Sequence, residues 1–146
     1  MSEPLVRVRL QPDPIDVEAL RRNRPVTGEC GGYVAFEGVV RHHNEGRTVL
    51  KLFYEAYQSL ALKELSRIAS HAAAEHGVRF VEVVHRLGEL QVGEVAVVVH
   101  VYSHHRQEAF LACMDVIDQL KKTAPIWKKE FYADGSTAWP RCHDQH

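Results

Sequence analysis

Apolar and polar positions along the chain change period several times, and each change marks an element. Val6, Val8 and Leu10 alternate with Leu5, Arg7 and Arg9, which predicts a short strand over residues 5–10. Asp16 stands where an N-cap belongs and Glu18 in the first turn, predicting a brief helix to about residue 23. Residues 31–40, rich in aromatic and β-branched side chains and opened by two glycines, predict a strand. RHHNEG at 41–46 reads as a turn and 48–57 as the returning strand, antiparallel because the connection is short.

A helical period takes over at residues 59–76. Leu60, Leu62, Leu65, Ile68, Ala69 and Ala72 mark its expected apolar face, and Gly77 stands at the C-cap. Strands are expected at 78–87 and 94–103, joined by GELQVG as a loop bounded by Gly88 and Gly93. The second major helix spans about 106–123 and stops before Pro125, with Ser103 or His104 as its candidate cap. Residues 126–132 predict a last strand, ADGS a turn, and Trp139 a position in a short tail that is polar from about 140–146. The order β-α-β-β-α-β-β-α-β implies an α+β fold, one domain over residues 1–146 with a largely antiparallel sheet and two main helices.

Composition narrows the function without changing this picture. A formal net charge of −1 over 146 residues argues against a general nucleic-acid binder. No basic start is followed by an apolar run, and the longest near-apolar run, 95–102, is too short for a bilayer. A cytoplasmic protein with no membrane association is expected. Cys30, Cys113 and Cys142 form an odd set without a CxxC pair, which fits reduced thiols. Cys113 reads as a small core residue. The histidines include the pairs His42–His43, His104–His105 and the Cys142–His143 pair, none at metal-ligand spacing, so neither a metal nor a cofactor is expected.

The helix over 106–123 carries the most chemistry. At about 100° per residue, Phe110, Cys113, Met114 and Ile117 form one apolar stripe, Lys121 falls on it, and Lys122 points away. Lys121 reads either as a snorkelling lysine whose stem covers the core, or as the end of the stripe at a pocket mouth. The segment KKTAPIWKKE favours the pocket. In a strand over 126–132, Lys128 and Glu130 share the face of Ile126, and Trp127 and Lys129 share the other, with Trp127 expected in the core. Lys121 and Lys128 then converge across the Pro125 turn. Their repulsion would lower one pKa, whereas the helix C-terminus favours a charged Lys121, and the sequence leaves that contest open. The site is cationic, and an anion is its natural guest. Arg41 at a strand end, and His105 and Arg106 at a helix start where backbone N–H groups suit a phosphate, are further candidates.

The strings FEGVVRHHNEGRTVLKLFYEAY, HRLGELQVGEVAVVV, SHHRQEAF and LKKTAPIWKKE, followed by DGSTAW, resemble the catalytic (large) subunit family of molybdopterin synthase, in the family's order, over about residues 31–139. The resemblance implies an α/β-hammerhead fold and a homodimer within a heterotetramer. It implies a small ubiquitin-like partner that inserts a C-terminal Gly-Gly thiocarboxylate into a pocket of the large subunit. The activity implied is a sulfurtransferase converting cyclic pyranopterin monophosphate to dithiolene molybdopterin in molybdenum cofactor biosynthesis. The implied catalytic residues are Lys121 and Lys128. Substrate binding falls on Arg41, His105, Arg106 and Lys129, with Glu130, Val39 and Val40 adjacent. The alternative is a non-catalytic anion-binding or scaffold protein on the same fold. Arg106 and Lys121 are fifteen residues apart on one helix, roughly 22 Å at about 1.5 Å per residue. From one chain both would touch a small ligand only with side chains fully stretched toward each other, and Arg106 leans toward the helix N-terminus, so the expectation is a site shared between two copies of the chain.

Overall fold

The computed structural model describes residues 3–25 and 28–140, so Cys142, His143 and the polar tail beyond Pro140 lie outside the described residues. Two sheets and two long helices carry the architecture. The first sheet has the order β1 (Leu5–Gln11), β5 (Phe80–Arg86), β7 (Val95–Ser103), β2 (Gly32–Val39). Its β1–β5 pair is parallel and its other pairs are antiparallel. In the second sheet, β4 (Arg47–Ala56) pairs with β8 (Ile126–Tyr132), β3 (His43–Asn44) and β6 (Gly88–Gln91), and β9 (Thr137–Ala138) extends β8. The α+β class and the antiparallel bias therefore stand as read from the sequence.

Three short strands were not expected from the sequence. β9 follows the ADGS turn, the turn at 41–46 contains the two-residue β3, and the first four residues of GELQVG form β6 rather than a loop. The reason for β6 is Leu90, which is fully buried among Val40, Leu52 and Ala96, so the segment is drawn across to the edge of β4. The short helix α1 (Val17–Arg22) begins as expected, with the Asp16 carboxylate accepting from the Ala19 N–H at 3.0 Å.

The helices α2 (Gln58–His76) and α3 (Arg106–Thr123) cover one face of the first sheet. Gly77 ends α2 in the left-handed conformation, as a C-cap glycine should. Their buried faces match the periodicity only in part: Leu65, Ile68, Ala69, Ala72 and Cys113 are inside as expected, and several bulkier residues are not. Ala61, Leu65, Ile68, Ala69, Ala72 and Ala73 face inward from α2, and Ala109, Ala112, Cys113 and Val116 from α3. Leu60, Leu62, Phe110 and Met114, all assigned to apolar faces, are exposed. Small side chains let the two helices approach the sheet and one another closely, and the bulky residues stay outside. Trp127 is likewise exposed and not in the core: strand alternation turns it to the outer face of β8, where its ring meets Tyr57 edge-on at 5.5 Å. No helix of the described residues is long and apolar enough to cross a membrane.

The chain leaves the first sheet at Leu87 to form β6 and returns as β7, and an ion pair closes this excursion. The buried Arg86 donates to Glu94 at 2.8 Å, and the Gln91 backbone N–H donates to the same carboxylate at 3.0 Å. These hydrogen bonds, the backbone one first, hold the Glu94 carboxyl below the usual range. A carboxylate shifted down stabilises the fold above its unfolded pKa, and that contribution fades as pH falls below about 4. Glu94→Gln is expected to cost about 2 kcal/mol at neutral pH and to flatten the acid limb of the stability curve. Urea denaturation of both proteins between neutral and acid pH measures it, and parallel curves would remove Glu94 from this role.

Candidate active site

Where the two sheets part, a cavity of about 150 Å³ opens between the ends of β2, β5 and α3 and the inner face of β8. β2 ends in a bulge between Gly38 and Val39. A side chain at Gly38 would meet Val97 Cγ1 at 2.6 Å, so only glycine lets β2 lie this close to β7 before the bulge re-aims the strand. Val39, Val40 and Arg41 then line the cavity in succession. Lys121 enters from the last turn of α3, and Lys128 and Glu130 enter from β8. Strand alternation places Ile126, Lys128 and Glu130 on one face of β8 as expected, and Lys121 ends at the cavity rather than in open solvent.

One buried carboxylate organises the β8 side. Glu130 is 2% exposed. Its Oε1 accepts from Asn44 Nδ2 at 2.8 Å and from the Tyr132 hydroxyl at 3.0 Å, while its Oε2 lies 3.6 Å from Lys128 Nζ. Burial first, and then this hydrogen bond, push the Tyr132 phenol up from its ordinary value. The Arg47 guanidinium stacks 3.6 Å from the centre of the Tyr132 ring, so the network extends outward from the cavity.

Three basic side chains, Arg41, Lys121 and Lys128, face a cavity in which Glu130 is the one carboxylate among the described lining residues. Such a site accepts a small anion, with Lys121 and Lys128 able to stabilise charge or move protons beside it. Four lining groups were not singled out from the sequence: His43 and Asn44 of β3, Tyr54 of β4 and His85 of β5. His85 had a legible signal, a lone imidazole continuing the apolar face of Val81 and Val83. The two-residue β3 had none.

His105, Arg106 and Lys129 lie elsewhere. His105 and Arg106 are exposed at the start of α3, lining a separate shallow hollow with Gly31, His104 and Glu108. The helix is capped by neither Ser103 nor His104: His105 is the N-cap and makes no side-chain capping bond. Ser103 is buried at the end of β7, and His104 lies 3.4 Å from Glu29. A side chain at Gly32 would sit 2.9 Å from the Arg106 nitrogen, so β2 fixes this helix end at close range. Lys129 points to the outer face of β8, its ammonium over the rings of Phe131 and Trp139 at 5.3 and 5.9 Å.

The MoaE protein family matches residues 10–123. The chain belongs to the MoaE family. Among its relatives, the molybdopterin synthase catalytic subunit of Pyrococcus abyssi is 46% identical over 109 residues, 75% of this chain and 74% of that protein. Catalytic subunit 1 of Mycobacterium tuberculosis is 45% identical over 130 residues, covering 88% and 86%. The crystal structure of molybdopterin synthase from Staphylococcus aureus superimposes with a TM-score of 0.79 at 33% identity, covering 96% of this chain and 98% of that one. The match takes in Arg41 and Lys121, and the fold around the cavity is the family's.

Because Glu130 gathers two donors and a cation in the interior, losing it should be costly. Glu130→Ala is expected to destabilise the fold by about 3 kcal/mol, against about 1 kcal/mol for Asn44→Ala. Urea midpoints for the two variants give the comparison, and a smaller loss for Glu130→Ala would show that the carboxylate does not organise this network.

Proposed function

We propose that the cavity binds cyclic pyranopterin monophosphate and that the chain transfers two sulfur atoms to it, each from the C-terminal thiocarboxylate of a small ubiquitin-like partner. This is the molybdopterin synthase activity of molybdenum cofactor biosynthesis. The observation that carries it is the convergence of Arg41, Lys121 and Lys128 on one cavity of a MoaE-family chain. The cations suit the substrate's phosphate and the carboxylate left on the spent partner.

In each transfer the thiocarboxylate sulfur attacks a side-chain carbon of the pterin and displaces its oxygen, a phosphate-ester oxygen at one carbon and a carbonyl oxygen, lost as water, at the other, joining partner and substrate through a thioester. Water then cleaves the acyl–sulfur bond, so the sulfur stays on the pterin and the partner leaves as a carboxylate. The cyclic phosphate opens, and a fresh partner brings the second sulfur. Lys121 is the main acid/base or electrostatic group, Lys128 assists it, and Glu130 holds Lys128 in place. Arg41 binds the phosphate, and Val39 and Val40 form the apolar wall beside it. Lys129, on the outer face of β8 and outside the cavity lining, has no direct role in this reading. The setting for this work is the cytoplasm.

His105 and Arg106 serve the site from a second copy. They occupy a hollow of their own, and α3 runs between them and Lys121, a span of roughly 22 Å. In a two-fold homodimer flanked by two small partners, the α3 start of one copy closes the cavity of the other.

Incubating the protein with a thiocarboxylated partner and the cyclic pterin should give a product carrying two sulfurs by mass spectrometry. Pterin binding without product would favour a non-catalytic anion-binding or scaffold role instead. In that assay Lys121→Ala should lower the rate by about 10²–10⁴, while Lys122→Ala, on the exposed side, stays near wild type. Equal activity of the two would remove Lys121 from the site. Mixing inactive Arg106→Ala with inactive Lys121→Ala should partly restore activity, because a mixed dimer has one site with both lesions and one with neither. No recovery despite proven subunit exchange would confine each site to one chain.

A further inference from the structure

The cavity's cations explain why an anion enters, but not why a pterin is preferred to any other small phosphate. His85 offers an answer that rests on the substrate reading above. It is the penultimate residue of β5, on the face of Val81 and Val83, is 4% exposed, and lines the cavity beside Tyr54. Its Nδ1 lies 2.7 Å from the Arg86 carbonyl oxygen. A carbonyl only accepts, so Nδ1 carries the ring proton and, in the neutral imidazole, Nε2 keeps a lone pair. The Tyr54 ring stands edge-on to the imidazole at 4.7 Å and 87°, which restricts its rotation. Burial lowers the His85 pKa to about 4, against a smaller opposing effect of the Arg86 hydrogen bond, so the ring is neutral at physiological pH.

The charged groups of the cavity work differently. Arg41, Lys121 and Lys128 can only donate when charged. Glu130 accepts, but its oxygens already serve Asn44, Tyr132 and Lys128. A cavity furnished this way recognises phosphate with its cations and leaves its neutral polar groups, of which His85 is the most deeply buried beside His43, Asn44 and Tyr54, to meet a donor. A reduced pterin carries such donors in its ring N–H and amino groups, and inorganic phosphate has no heterocycle to present them.

We propose that His85 is the hydrogen-bond acceptor that reads an N–H donor of the pterin ring, and so sets the cavity's preference for a heterocyclic phosphate over simple phosphates. Sites that pair a buried polar group with a substrate donor discriminate strongly against ligands lacking it, because the protein group is then left unsatisfied. His85 is a specificity residue, separate from the lysines that act at the sulfur-transfer carbon.

The test uses the full chain and two probes, the cyclic pterin monophosphate and inorganic phosphate. His85→Phe keeps a ring but loses the acceptor, and should weaken pterin binding by about tenfold or more, with phosphate binding unchanged in the same NMR titration. His85→Gln can place its amide oxygen near the former Nε2 and should recover most of the pterin affinity. In wild-type protein, long-range ¹⁵N correlation spectra should show an unprotonated His85 Nε2 whose signal moves on adding pterin and stays put on adding phosphate. That spectrum decides the matter even if His85→Phe fails to fold. Unchanged pterin affinity in His85→Phe, equal losses for both probes, or an Nε2 signal indifferent to pterin would each overturn the proposal. Two-sulfur product from the wild-type protein is scored separately, so a failed specificity role is distinguishable from a failed sulfur-transfer reading.

Discussion

The ion pair between Arg86 and Glu94 sets where the two sheets part, and the cavity exists because they part. Between these residues the chain abandons the first sheet, lends β6 to the second and comes back as β7. Arg86 is buried and therefore needs its counter-charge, which makes the return point specific rather than a matter of loop length. Val40 is fixed to this return by backbone bonds with Glu94 and Gly93 at 3.0 and 2.9 Å. The end of β2, and with it Arg41, is thus positioned by the same excursion that brings His85 to the cavity wall.

Around that opening the β8 side is rigid where chemistry needs it. A lysine ammonium on a four-carbon stem is a poorly directed charge unless something near it is fixed. Glu130 supplies the fixed point, since Asn44 comes from β3 and Tyr132 from β8 itself, tying the carboxylate to two strands. A carboxylate this deep would be unfavourable alone, and the three groups on its oxygens are what make it tolerable.

Much of this was legible in the sequence, and the rest failed for identifiable reasons. The alternation in IWKKE put Lys128 and Glu130 on the inner face of β8, because a strand's period of two leaves no other choice. The α3 stripe was read from its bulkiest apolar residues, yet Phe110 and Met114 are exposed and Ala109, Ala112 and Val116 are inside. Hydrophobic size favours burial in isolation, but two helices packed on one sheet favour small residues at their closest approach. Lys121 still reached the cavity, since Leu120 and Lys121 both border it at the helix end. β6 was missed because four residues flanked by glycines carry too little periodicity to separate strand from loop. Its pairing is decided by Leu90 finding a core formed by other strands.

The overall charge of −1 bears on how the site must work. Long-range attraction of an anion needs a field set by many charges, and a near-neutral chain does not provide one. Selectivity for a phosphate must therefore arise within a few ångströms, from cations partly withdrawn from solvent and screened less than surface charges. The Lys128 side chain is only 12% exposed, and the cavity wall around it is made of Val40, Leu52, Ala96 and Ile126. An apolar wall strengthens each charge but cannot orient a ligand. Orientation falls to the directional groups, so a site built this way separates attraction, carried by Arg41, Lys121 and Lys128, from placement, carried by hydrogen-bonding side chains at its rim and floor.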